Sequence, residues 1–371
     1  LSDSQMVYIY PRNEELVMKD NRDFSFSGRI RAGLFEFYAQ DCFFEYDTFM
    51  LNMPRIDSMS FFVKVEDTTG KEKVVSYQRV QAMVEGMSGY MMIDKPDNKS
   101  GLKSFPEYPV FTSNGNSFVY YDDLSGANGS YGRDEFYYEL DPFTIDSLDN
   151  YSTTGLRFTG YLATGGILPP MDDPLVVMPD RSLGIKSVTG EEGLPLYDGL
   201  ATIYDTITMD NAGLHGAGRM QYLNSLTRTS DMELYPDSIV ATTSDFRLEK
   251  VMGDVEYADV SVGRAYQYLY PDTNLMVLKM DEEPFSLYDG SSSLEGSLMI
   301  SPEGLKGAGN FGFERALIES GDFSFGHHSM SADTSDFSLY TDTTFSTLAF
   351  LTNDYRTALD FDQRRGTFIS T

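Results

Sequence analysis

Three histidines (His215, His327, His328) and one cysteine (Cys42) are the side chains from which a nucleophile, a general base or a soft metal ligand would ordinarily be drawn. A nucleophile–base pair needs an imidazole within hydrogen-bond reach of the thiol or hydroxyl it activates. No histidine lies near Cys42 in sequence, and neither a Gly-x-Ser-x-Gly elbow nor a His-Glu-x-x-His stretch is present. His327 and His328 are adjacent, so in a strand they would point to opposite faces and would not share one metal. The stretch from Asp122 to Glu135 resembles a calcium loop, with Asn128-Gly129 at its fifth and sixth positions and Glu135 at its twelfth. Its first and third positions would be Leu124 and Gly126, which supply no carboxylate, so the EF-hand reading fails. A looser oxygen-rich site made of Asp122, Asp123, Asn128 and Asp134 is the calcium candidate, and no other cofactor is expected.

Paired carboxylates occur at Asp172-Asp173, at Asp281-Glu282-Glu283 and at Asp360 with Asp362. Glycoside cleavage needs two such groups facing each other across a cleft, and sequence spacing does not establish that. No catalytic residue is therefore assigned.

The elements that would position these groups are set by an internal repeat of 91 residues without gaps. Leu196-Tyr197-Asp198-Gly199 returns as Leu287-Tyr288-Asp289-Gly290, Gly216-Ala217-Gly218 as Gly307-Ala308-Gly309, and Ser244-Asp245-Phe246 as Ser335-Asp336-Phe337. Between these anchors the apolar positions keep phase: Met220 and Tyr222 match Phe311 and Phe313, and Met232 and Leu234 match Phe323 and Phe325. His215 is matched by Lys306, so the imidazole is not part of the shared pattern. Apolar residues alternate over short runs, and Gly, Asp, Pro or Ser interrupts them, which predicts half-buried strands joined by turns. The Gly-x-Gly marks a bend or a close approach of backbones. It is a poor phosphate loop, because no Lys-Ser/Thr or strand-to-helix transition follows. Matched Phe246 and Phe337 are expected to be equally buried.

Residues 20–65, with Phe24, Phe26, Ile30, Phe35, Phe37 and Phe44 set among charges and Gly28 and Gly33 at bends, read as a more diverged unit of the same kind. The predicted division is a diverged β unit over 1–150, with a loop-rich insertion near 95–135, followed by a β array over 151–371. The repeat occupies about 191–281 and 282–371. The fold class is all-β: repeated short-strand units forming a β-solenoid or a stacked β-sandwich-like array. Little helix is expected beyond 356–362.

Composition agrees, since 25 Tyr, 26 Phe and 32 Gly suit pleated strands and turns. The formal charge of −29 would repel a phosphate backbone or an anionic membrane surface. With one cysteine, no internal disulfide forms, and Cys42 reads as a small buried hydrophobe. No apolar run is long enough for a transmembrane helix, and the absence of Trp together with acidic interruptions counts against a transmembrane barrel. The chain starts at Leu1 and reads as a segment of a longer protein.

Tyr235-Pro236-Asp237-Ser238, the stretch from Asp360 to Gly366 and the run from Phe24 to Met53 resemble large, uncharacterised cell-envelope proteins of Bacteroidetes. Asp-Ser/Thr motifs at Ser58, Thr68, Ser147, Thr206, Ser238 and Thr343 are similar to the O-glycosylation signal of those bacteria. A fainter resemblance, carried by Gly-bounded short strands and Ser331-Ala332-Asp333, is to lipopolysaccharide-transport (OstA-like) and AsmA/TamB-like stacked-strand proteins. These resemblances imply a non-catalytic structural or interaction segment in the periplasm or on the surface of a Gram-negative bacterium. Its partners would be other envelope proteins or further parts of a longer chain, and not nucleic acid. The alternatives are a lipid-conducting β groove between membranes and a carbohydrate-binding or carbohydrate-cleaving β-helix. A continuous apolar concavity would mark the first, and exposed Tyr with opposed carboxylates the second.

Overall fold

The computed structural model describes residues 1–67, 74–123, 129–148, 156–341 and 348–370. It is all-β: among these residues the only helical elements are single 3-10 turns at Arg12–Glu14, Asp20–Arg22 and Tyr197–Gly199. No helix among them is long and apolar enough to cross a membrane. Two compact units are formed, one from 1–165, 170–186 and 208–213, the other from 166–169, 187–207 and 214–371. The predicted boundary near 150 falls outside the described residues.

In the second unit the repeat is visible strand by strand. Strands Ala201–Asp210, Gly213–Tyr222 and Ser225–Leu234 return 91 residues later as Ser292–Ser301, Gly304–Phe313 and Ala316–Phe325. Each buries alternate residues, as Leu294, Leu298 and Ile300 show in one of them. The Leu-Tyr-Asp-Gly anchors are tight turns whose Tyr, Asp and Gly all take positive φ: 47, 55 and 91° at 197–199, and 53, 55 and 82° at 288–290. That turn aims each tyrosine at the same target. Tyr197 Oη donates to the carbonyl of Ser238 at 3.2 Å, and Tyr288 Oη donates to that of Ser329 at 2.6 Å.

The Gly-x-Gly anchors sit opposite a β-bulge. Gly216 pairs with Met232 and Gly218 with Thr229, so Ser230 and Asp231 oppose the single Ala217. Gly307, Gly309, Ser320 and Phe323 repeat this arrangement. The extra residue shifts the inward phase, from Ser225, Thr227 and Thr229 to Met232 and Leu234. Without it, the second half of the strand would turn its apolar residues to solvent.

The first unit contains the same device. Its strands Phe24–Ala32 and Phe35–Glu45 pair Phe26 with Cys42 and Gly28 with Ala39, which leaves Gln40 and Asp41 extra. The inward series Phe35, Phe37, Ala39 then becomes Cys42, Phe44. Cys42 thus occupies a core position, and burial, followed by the neighbouring Asp41 charge, pushes its thiol up to about 12. The unit continues through Met50–Asp67, Val84–Met92, Ser117–Tyr120, Phe136–Leu140 and Gly160–Thr164, hydrogen-bonded in that order.

Between the two bulged hairpins of the second unit the sheet branches. Ser225–Leu234 pairs through one half with Ile239–Thr242 and through the other with Asp245–Leu248. One arm continues through Ala265–Tyr270 and Leu275–Met280, the other through Val260–Val262 and Phe285–Leu287. Both arms rejoin on Ser292–Ser301. The ladder therefore closes into a ring of eight strand segments, a small barrel filled by Phe246, Val260, Leu269, Leu278, Phe285 and Leu294, all buried.

Two expectations need correction. Residues 356–360 belong to strand Leu348–Asp360 and are not helical. Phe246 is fully buried, whereas its counterpart Phe337 is only half-buried.

Candidate functional site

Recesses of two kinds gather polar side chains from several strands. One lies in the first unit, where strands Val84–Met92 and Ser117–Tyr120 bring side chains from distant sequence to Arg133. The guanidinium is 3.6 Å from the Tyr120 ring centre, bonds Glu85 Oε2 at 2.6 Å and lies 3.3 Å from both oxygens of Asp122. A cavity of about 330 Å³ opens beside it, lined also by Tyr121, Ser182, Leu183 and Asn211. Tyr121 Oη donates to the Leu183 carbonyl at 3.2 Å, and full burial raises its pKa. This phenol is held protonated and is not a proton shuttle near neutral pH. No single stretch of sequence signals the cluster, because Glu85 and Arg133 are 48 residues apart.

Arg133 also bears on the calcium candidates. It engages Asp122, while Asp123 and Asp134 are exposed and Asn128 lies outside the described residues. Among the described residues no group of three or more His, Cys, Asp or Glu is gathered as for a metal ion.

The edge of this recess carries an acid-sensitive turn. Burial alone would raise the Asp180 carboxyl. The N–H and hydroxyl of Ser182 and the N–H of Asn211 donate to it, however, and hold it below its ordinary value of 3.8. A carboxyl with a lowered folded-state pKa stabilises the fold above its unfolded value, and that contribution disappears as pH falls through the folded value. Asp180→Asn should therefore be less stable than the parent at pH 6, with the gap narrowing as pH is taken below 3.8. Urea unfolding at several pH values measures this, and a gap independent of pH would show that the charge is not the cause.

The second kind of recess recurs at each bulge. In the earlier copy it is lined by Asp205, Arg219, Arg228, Thr229, Ser230 and Ser244, and in the later copy by Glu319, Ser320, Asp322, Asp336 and Asp354 among others. A third lies at the first-unit bulge, with Arg12, Ser27 and Asp41. A hydroxyl steadies the bulge each time: Asp231 N–H donates to Thr229 Oγ1, Asp322 N–H to Ser320 Oγ, and Asp41 N–H to Ser27 Oγ. The scaffold is shared and the charges on it are not.

The histidines behave differently from the strand-based expectation. His327 and His328 lie in the turn before Ser329–Tyr340, and their ring centres are 3.5 Å apart. A turn lifts the alternation that would have sent them to opposite faces. Lys250 Nζ lies 2.9 Å from His328 Nδ1, with Asp362 at 3.3 Å. His215 Nδ1 is 2.8 Å from Asp231 Oδ1 at the earlier bulge. Members of two of the three carboxylate pairs are likewise engaged: Asp281 bonds Arg264 at 2.6 Å, and Asp360 accepts the Gln363 N–H.

Of the Asp-Ser/Thr motifs, Ser58, Ser147, Thr206 and Ser238 are half-buried at the surface, whereas Thr68 and Thr343 lie outside the described residues. Compared with known proteins, the chain matches no family model, no curated protein and no solved structure.

Proposed function

We propose that the chain is a non-catalytic structural or interaction segment of a larger envelope or surface protein of a Gram-negative bacterium. The observation that carries this reading is that one bulged hairpin is built three times while its chemistry-bearing positions vary. Arg219 stands where the later copy has Asn310, Arg228 where it has Glu319, and His215 where it has Lys306. A catalytic or metal site ties residue identity to geometry, whereas a scaffold ties only the core positions. The lipid-conducting alternative calls for a continuous apolar concavity, and the recesses described above carry charged or hydroxyl side chains. Its partners are other envelope proteins or further repeat units, and the Asp-Ser/Thr motifs are glycan attachment points.

Fractionation of cells producing the native protein, followed by glycopeptide mass spectrometry, tests this reading. The protein is expected in the envelope fraction with a hexose-bearing mass on at least one of Ser58, Ser147, Thr206 and Ser238. Recovery in the cytosol alone, with all six motifs unmodified, would remove the assignment.

A further inference from the structure

The two copies differ in how their sheets end. In the earlier copy, Ala265–Tyr270 and Leu275–Met280 form a hairpin that Phe285–Leu287 and Ser292–Ser301 complete into the closed ring. The later copy builds the same hairpin from 355–360 and Arg365–Ser370. Its ladder matches that of the earlier copy pair by pair: Phe246 faces Val262 and Phe337 faces Thr352, Leu248 faces Val260 and Leu339 faces Phe350, Ile239 faces Leu269 and Met330 faces Leu359. From 348 onward the correspondence runs at 90 residues instead of 91, a slip of one.

Matched positions can therefore be compared for burial. Val260 is 2% exposed and its counterpart Phe350 is 54% exposed; Leu278 is 0% exposed and its counterpart Phe368 is 40% exposed. Leu351 and Ile369 beside them are 53% and 56% exposed. Among the described residues, Arg365–Ser370 pairs on one side only and ends the sheet. An open, apolar sheet edge is a template for adding a strand. The earlier copy shows which strand fits, because Leu294, Leu298 and Ile300 of Ser292–Ser301 and Phe285 and Leu287 of the preceding strand cover the corresponding face.

From this we infer that the edge Arg365–Ser370, with Phe350 and Phe368, is a strand-addition site whose occupant is a strand pair of the same chemistry as 284–302, carried by a further unit of this repeat. The inference rests on the structural reading above and names its partner. Occupation would close a second eight-segment ring and bury the exposed phenylalanines as Val260 and Leu278 are buried.

A fluorescein-labelled peptide of residues 284–302 titrated with the full chain, read by anisotropy, tests it. Saturable binding is expected, weakened at least tenfold by Phe350→Ser/Phe368→Ser and unchanged by Met252→Ser, which removes an apolar side chain 71% exposed elsewhere. Hydrogen exchange over 201–300 checks that the double variant keeps its fold. If that protection is lost, Ile369→Lys takes its place with the same expectation. Absence of saturable binding, or equal binding by parent and edge variants, would overturn the proposal. Dimers of the chain that the edge variants abolish would overturn it too, since they would assign the edge to a second copy. Cytosolic recovery would end the envelope reading and leave this binding untouched, whereas a failed titration leaves the localisation standing.

Discussion

Phe246→Ala is expected to lower the unfolding free energy by about 3–5 kcal/mol, the usual cost of truncating a fully buried phenylalanine. Phe337→Ala is expected to cost less. The two residues close the same anchor, but Phe246 fills the closed ring opposite Thr227 and Val262, with no exposed surface. Phe337 lies opposite Ile318 and Thr352 and packs against Phe368, at a ring separation of 4.6 Å. A partly exposed ring loses less transfer energy and leaves a cavity that solvent fills. Urea unfolding of both variants measures the difference. Hydrogen exchange should show the Phe246→Ala loss concentrated in 225–301, because repeat units are stabilised by themselves and their neighbours. Equal costs for the two truncations would mean that the closed ring and its unclosed counterpart are energetically alike.

Gly309→Ala is the second large effect, at about 2–6 kcal/mol. Gly309 has φ +131°, a conformation that L side chains rarely adopt, and an added Cβ would lie 2.1 Å from the Glu295 carbonyl oxygen. Backbone strain of this kind costs roughly 1–3 kcal/mol and overpacking a further 1–3. Gly321→Ala, twelve residues on in the same hairpin, meets nothing within 4 Å and should stay within about 0.5 kcal/mol. Thermal unfolding of the pair separates the two cases, and a mild effect at Gly309 would show that the bulge relaxes to admit a methyl group.

The repeat and the all-β class were legible because alternation and anchors recur within one chain, so that each copy is a control for the other. The bulge was not. Its sequence mark is only a change of phase, Thr229 to Met232 and Ala39 to Cys42, which looks like a broken strand until the opposing glycines are seen to pair across it. The kinship of residues 24–45 with the later copies was legible from their apolar alternation and glycines, but the bulge they share was not. Equal burial was expected of Phe246 and Phe337 because matched residues report the strand they sit on and not what covers it. The Arg133 cluster is assembled from residues far apart in sequence, and an acidic chain offers too many carboxylates to pick out Glu85 and Asp122 beforehand. For His327 and His328 the strand assumption itself failed, since both lie in a turn.

The recesses at the bulges carry different charges on one framework. An ion entering the earlier one meets the guanidinium groups of Arg219 and Arg228 beside Asp205; in the later one it meets Glu319, Asp322, Asp336 and Asp354. At physiological ionic strength the Debye length is about 8 Å, so a solute is screened from charges much farther away than the recess it occupies. The net charge of −29 is thus what a distant body senses at low salt, whereas a small ion at physiological salt reads the array one recess at a time, first as arginines paired with Asp205 and Asp245 and then as a group of carboxylates.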